Sequence, residues 1–165
     1  MLAAAVSTAS AQWREWDADF DEGRREWKEI EARIPPYPKA ADLLRFEAGG
    51  AAAHRTFIDA RSLSVGEDGV VRYTLLIRTA GGATNVSFEG IRCEGAARKV
   101  YAVGHADGSW ARARSPQWRP INRQDADPIH LALYTDYLCH GGRPVRNEHE
   151  ALQRLRYPAA APAGG

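Results

Sequence analysis

An excess of charge of either sign is missing from this sequence: 22 lysines and arginines stand against 21 aspartates and glutamates in 165 residues, leaving +1. Neither nucleic acid nor an anionic membrane surface therefore has an electrostatic claim on the chain. No run approaches the ~20 apolar residues that a transmembrane helix needs, so no integral membrane segment is expected. Metal chemistry has little to work with. His54, His105, His130, His140 and His149 show no i, i+4 spacing, and Cys139 has only His140 beside it; a zinc site needs more convergent ligands than that, and these read as surface or helix-terminal histidines. A glycine-rich phosphate loop is absent as well, because Gly81 and Gly82 lie between two strand-like runs rather than between a strand and a helix. Asp17, Asp19, Asp21 and Glu22 begin like a calcium loop, but Glu22 occupies the position that demands glycine and Lys28 the one that demands a bidentate glutamate. They read instead as acids facing a helix N-terminus. The sequon Asn85-Val86-Ser87 falls inside a strand-like run and is discounted. No metal, no cofactor and no reaction signature follow from any of these residues.

What is present is ordinary globular material, 44% hydrophobic and 26% charged, enough in a chain of this length to bury a core and to form one domain. The chain is organised around Asp68 to Gly104, DGVVRYTLLIRTAGGATNVSFEGIRCEGAARKVYAVG, three runs rich in β-branched and aromatic residues separated by turn-forming clusters. Val71, Tyr73, Leu75 and Ile77 share one parity and Arg72, Thr74 and Arg78 the other, with Leu76 breaking the polar face; this is the period of a strand buried on one side. Val86 and Phe88 oppose Ser87, Glu89 and Cys93 in the second run. Paired glycines supply the first turn, and short loops imply antiparallel neighbours.

The flanks supply helices. Trp13, Trp16, Phe20, Trp27, Ile30 and Ile34 fall at helical spacing, and Asp19 with Glu22 forms a capping-box pattern, so a helix is predicted over residues 20–33, stopped by Pro35 and Pro36. Leu43 to Phe46 reads as an edge strand. Asp127 and Pro128 mark the start of a second helix, over residues 128–139, burying Ile129, Leu133 and Tyr137. Asn147 to Arg156 forms a last short one with Leu152 and Leu155 inward. The fold class is α+β: one domain, an antiparallel meander of about five strands (56–63, 70–79, 84–93, 98–104 and 109–114), and both longer helices on its apolar face. Trp118 is expected to fold onto the sheet end.

The first eleven residues, MLAAAVSTASA, end in Ala9-Ser10-Ala11 before Gln12, the close of an export signal without its basic start. Met1 is expected to lie inside a longer signal, the mature domain to span residues 12–157, and residues 158–165 to be a disordered tail. No cysteine follows Ala11 to carry a lipid. An even cysteine count in an exported protein favours a disulfide between Cys93 and Cys139, which would contribute roughly 4 kcal/mol by restricting the unfolded chain.

With those residues in view the chain resembles the CNP-like family of uncharacterised exported proteins of Gram-negative bacteria. The resemblance rests on SLSVGEDGVVRYTLLIRTAGGATNVSFEGIRC (Ser62 to Cys93), Lys99 to Gly104, Trp110, Trp118, Leu138 and Cys139, and spans Trp13 to Tyr157. It implies no activity, substrate or catalytic residue that could be carried onto positions here. The cluster most open to a functional reading is Arg72, Arg78, Glu89 and Asp59, expected together on the second face of the sheet with Thr74 and Ser87 between them. The plain alternative is cross-strand ion pairing on a solvated surface, worth only ~0–1 kcal/mol per pair. The functional one is a polar pocket for a small acidic or polar ligand of the cell envelope. The chain is thus expected to be an exported, soluble, periplasmic structural or ligand-binding module, with an envelope ligand or protein as partner. The alternative is a hydrolase or transferase using Glu89 or Asp59 as acid or base, with Arg72 holding an anion.

Overall fold

A computed structural model describes residues 26–49, 54–122 and 127–158. The residues before 26, which include the export-signal segment and residues 20–25, and those after 158 lie outside the described residues. In chain order the strands are β1 (Leu43–Phe46), β2 (His54–Asp59), β3 (Ser64–Val65), β4 (Val70–Thr79), β5 (Thr84–Arg92), β6 (Ala97–Gly104), β7 (Trp110–Arg112) and β8 (Arg119–Pro120). They form one antiparallel sheet of order β1-β2-β4-β5-β6-β7, with β3 on β4 and β8 on β6. The meander is as expected. Strand β2 ends four residues early, because the Ser62 backbone N–H and hydroxyl both donate to the Asp59 carbonyl and close a turn there (3.2 and 2.9 Å). The short pairings of β1, β3 and β8 raise the strand count above five.

Tyr73, Leu75 and Ile58 are essentially fully buried on the core face, as the alternation predicts. Over them lie α1 (Pro128–Ala132), a π-turn from Leu133 to Leu138, the small hairpin β9 (Cys139–His140) and β10 (Arg143–Pro144), and α2 (Glu148–Arg156). The Asp127 carboxylate accepts the Ile129 backbone N–H and Asn147 accepts that of Glu150, capping both helices. The expected single helix over 128–139 widens after one and a half turns. The Cys139 N–H reaches back to the Tyr134 carbonyl, and the wider winding buries Leu133, Tyr137 and Leu138 together. In α2, Ala151 and Leu155 are buried and Leu152 only half so.

Two expectations are overturned. The first is the helix over 20–33: residues 26–39 run as an extended strap with no helical turn, and the strap crosses the second face rather than the apolar one. Its backbone finds partners in the sheet instead of in itself. The Ile30 N–H donates to the Asp68 carboxylate (2.9 Å), the Ile30 carbonyl accepts from Arg72 Nη2 (2.8 Å), and the Trp27 indole donates to the Asp68 carbonyl (2.8 Å). Trp27 and Glu29, two apart, touch the sheet as an extended chain requires, while Ile30 is 47% exposed.

The second is the facing of β5. Tyr73 pairs with Glu89 and Leu75 with Ser87, whereas Arg72 pairs with Gly90 and Thr74 with Phe88. Directly paired residues share a face, so Glu89 and Ser87 join the core face and Val86 and Phe88 the second one. Strap and sheet together bury that second face, which explains why Thr74, Leu76 and Phe88 are all buried. A bulge in β6 opposite Phe88 and Glu89 leaves Tyr101 unpaired and aims it at Phe88, with ring centroids 5.4 Å apart. Tyr101 fills the space above Gly90. A β-carbon there would stand 2.7 Å from the Tyr101 hydroxyl and 2.9 Å from Val70 Cγ1, so Gly90→Ala should lower stability by about 1–3 kcal/mol in a urea titration.

Cys93 and Cys139 are joined in a disulfide, with Cα atoms 5.6 Å apart. It fastens the end of β5 to the end of the π-turn. Its parity with Glu89 and Ser87 places Cys93 on the core face, toward Cys139.

Candidate functional site

Glu89 is carried inward by β5, and α1 places His130 one turn after its Asp127 cap. Both residues are sealed, at 3% and 5% exposure. His130 Nε2 lies 2.7 Å from Glu89 Oε2 and Nδ1 lies 3.2 Å from Asp127 Oδ2. Burial alone would push the imidazole pKa down, but the bonds to Asp127 and Glu89 and the Glu89 charge win, and it rises to about 9. At neutral pH the ring is therefore an imidazolium donating from both nitrogens. Burial would raise the Glu89 carboxyl, yet His130 and the Ser87 hydroxyl (2.6 Å) hold it below its ordinary value. Burial and the Glu89 charge keep the Tyr73 phenol protonated, its hydroxyl 3.5 Å from Glu89 Oε2. The carboxylate is thus saturated by groups of the protein. It holds α1 onto β5, and it has no face open to a substrate.

The second face carries a different network. Arg72 makes a two-pronged pair with Asp68, Nη2 to Oδ2 at 2.6 Å and Nη1 to Oδ1 at 3.2 Å, and its third contact is the strap carbonyl of Ile30. Glu29 of the strap accepts from Lys99 (2.7 Å), Tyr101 (2.9 Å) and Trp118 (3.2 Å). Burial would raise the Glu29 carboxyl, and these donors together bring it below its ordinary range. Trp27 sits between the Arg92 guanidinium, 4.1 Å from the ring centre, and the edge of Trp118. These contacts clamp the strap onto β4, β5 and β6.

Beyond the clamp, the strap leaves a cavity of about 460 Å³ between itself and the end of β2, lined by Pro35, Pro36, Tyr37, Lys39, Asp42, Asp59, Arg61 and Ser62. Asp59 is 3% exposed, and its carboxylate accepts the Arg61 backbone N–H (3.2 Å). Burial raises its pKa above the ordinary aspartate value; the bonds from Arg61 and Ser62 oppose this, and the nearby Asp42 charge adds to it.

The four residues singled out in the sequence are therefore distributed. Asp59 lines the cavity, Arg72 is taken up by Asp68 and the strap, and Arg78 stacks its guanidinium 5.1 Å from the centre of Phe57. These three share the second face; Glu89 is on the opposite one and meets none of them. His130, expected on the surface or at a helix terminus, is buried, and Asp127, expected only as a cap, is also its partner; Asp68 and Glu29 were not singled out from sequence. For His130 a signal existed, since it stands three residues after a capping aspartate, on the face of the helix that faces inward. Among the described residues no group of three histidine, cysteine or acidic side chains gathers as a metal site, and no helix is long and apolar enough to cross a membrane.

A family model described as the CNP1-like family matches residues 22–156. Cryptic neisserial protein 1 of Neisseria gonorrhoeae (strain ATCC 700825 / FA 1090) is 31% identical over 152 residues, covering 80% of this chain and 72% of that protein. No solved structure matches.

Proposed function

The chain belongs to the CNP1-like family, and on that premise we propose that it works in the periplasm, after export, as a disulfide-locked binding module that takes a small polar ligand in the cavity beside Asp59. The observation that carries this reading is the contrast between two acidic side chains. Glu89 is closed off by His130, Ser87 and Tyr73, while Asp59 opens on a preformed hollow of ligand size. The disulfide supports the compartment, since such bonds persist where the surroundings are oxidising.

An NMR screen of small polar compounds against the full chain tests the binding reading. Compounds that bind should shift the amides of Arg61 and Ser62 and leave those of Glu89 and His130 unmoved; a screen in which the Arg61 and Ser62 amides never move contradicts it. Export has its own test. Protein from a periplasmic fraction should begin at or near Gln12 by intact mass, and full-length protein confined to the cytoplasm would remove the compartment.

One observation favours a second reading. A carboxyl group with a raised pKa at a cavity wall is what general acid–base chemistry uses, so a hydrolase or transferase would employ Asp59, with Arg61 in the place first assigned to Arg72. Turnover of any compound from the screen that disappears in Asp59→Asn would decide for that reading.

A further inference from the structure

The wall of the cavity carries both signs of charge with neither sign paired. Asp42 and Asp59 supply two carboxylates, Lys39 and Arg61 two cations, and among the described residues none of the four makes an ion pair. For Lys39 and Arg61, which are exposed, water suffices. For Asp59 it does not. A buried carboxylate held by the Arg61 backbone N–H and Ser62, with the Asp42 charge nearby and no direct ion pair, is kept at a cost that an arriving cation relieves. The opposite wall is stiff. Pro35 and Pro36 fix their own backbone angles, and Tyr37 is pinned by its hydroxyl, which donates to the His105 carbonyl (2.8 Å), and by its ring, 5.3 Å from that of Trp110. The hollow is therefore already shaped before a ligand enters, which spares the ligand the ordering of a loop.

The geometry points to a small zwitterion as the ligand, a free amino acid or short peptide whose ammonium group meets Asp59 and Asp42 and whose carboxylate meets Lys39 and Arg61. This rests on the binding reading above and gives it a ligand class. A volume of about 460 Å³ falls in the range of small-molecule sites, roughly 300–1,000 Å³, and suits a dipeptide. The ammonium supplies the direct ion pair that Asp59 lacks. The carboxylate end is held by two long, exposed cations, so it tolerates ligands of different length, and the ammonium end sets the affinity.

The test uses three probes on the full-length protein followed by NMR titration: alanyl-alanine, its N-acetyl derivative without the ammonium, and its C-terminal amide without the carboxylate. Alanyl-alanine should shift the Arg61 and Ser62 amides. The N-acetyl peptide should bind about tenfold more weakly or worse, as should alanyl-alanine to Asp59→Asn, because each loses a charge-assisted bond in a buried setting. The doubly substituted Lys39→Gln, Arg61→Gln protein folds normally, since both side chains are exposed; it should bind alanyl-alanine several-fold more weakly and should no longer distinguish it from the amide. Equal binding of the free and N-acetylated peptides overturns the zwitterion and leaves the binding module standing. Silence of the Arg61 and Ser62 amides toward alanyl-alanine also overturns it, and the module reading is then judged by the wider screen alone.

Discussion

Replacing His130 with alanine should lower the unfolding free energy by roughly 3–5 kcal/mol, because it leaves Glu89 buried without a counter-charge. Glu89 and His130 are nearly inaccessible and 2.7 Å apart; water cannot take over from the lost imidazolium, and Glu89 must then take up a proton on folding. The double variant Glu89→Leu, His130→Leu should cost markedly less than the two single losses added together, since removing both charges also removes their desolvation. The same pair sets a pH dependence of definite sign. His130 has its folded pKa raised from 6.5 to about 9, so its stabilisation is complete below about pH 6.5 and is lost as pH rises through about 9, a change of roughly 3 kcal/mol. Glu89, with its folded pKa lowered, acts at the other end: its stabilisation is lost as pH falls through the acid range below 4.5. Urea midpoints measured at intervals from neutral to alkaline pH should fall for the natural protein, and that fall should vanish in His130→Ala.

Reduction of the disulfide, or the pair Cys93→Ser, Cys139→Ser, should cost nearly as much. The two cysteines are 46 residues apart in sequence, and closing a loop of that length restricts the unfolded chain by roughly 4 kcal/mol. For a domain whose total stability is about 5–15 kcal/mol, that is a large share. The loss should be selective in place. Hydrogen exchange should rise first in the π-turn and the hairpin of β9 and β10, which the bond fastens to β5, and the amides of β4 should remain protected longest. A reduced protein with an unchanged urea midpoint would show that the helical layer is held by the Glu89–His130 pair and packing alone.

How far the fold could be read from sequence depended on how local its causes are. The alternation through Val71, Tyr73, Leu75 and Ile77 identified β4 and its buried face, and Asp127 with Pro128 identified the start of α1, because strand period and helix cap are written within a few residues. The facing of Glu89 was not written there. It depends on the pairing register, which the turn between Thr79 and Ala83 fixes, and a shift of one residue in that register reverses every side chain of β5. Two residues did carry the correction. Leu76 on the supposedly polar face, and Phe88 opposite Glu89, both require a covering layer on the second side. That cover is the strap, whose spacing at Trp27, Ile30 and Ile34 imitates a helix. Its true partners, Asp68 and Arg72, are 38 to 42 residues away, beyond the reach of any periodicity. The candidate site divided for the same reason: Asp59 was visible as a charged residue within the strand expected over 56–63, but the hollow beside it exists only because the strap passes over it.

Glu89 and His130 form a locked ion pair that holds the fold, and the proposal of a ligand site in the cavity beside Asp59 rests on that pair being closed to other molecules. The direct measurement is the pH titration of the His130 ring nitrogens by ¹⁵N NMR. Both nitrogens should be protonated at pH 7, and the ring should lose its proton near the value of about 9. A ring that is neutral at pH 7, titrating at or below the ordinary histidine value of about 6.5, would contradict the ion pair and would return Glu89 and His130 to the list of groups free to do chemistry.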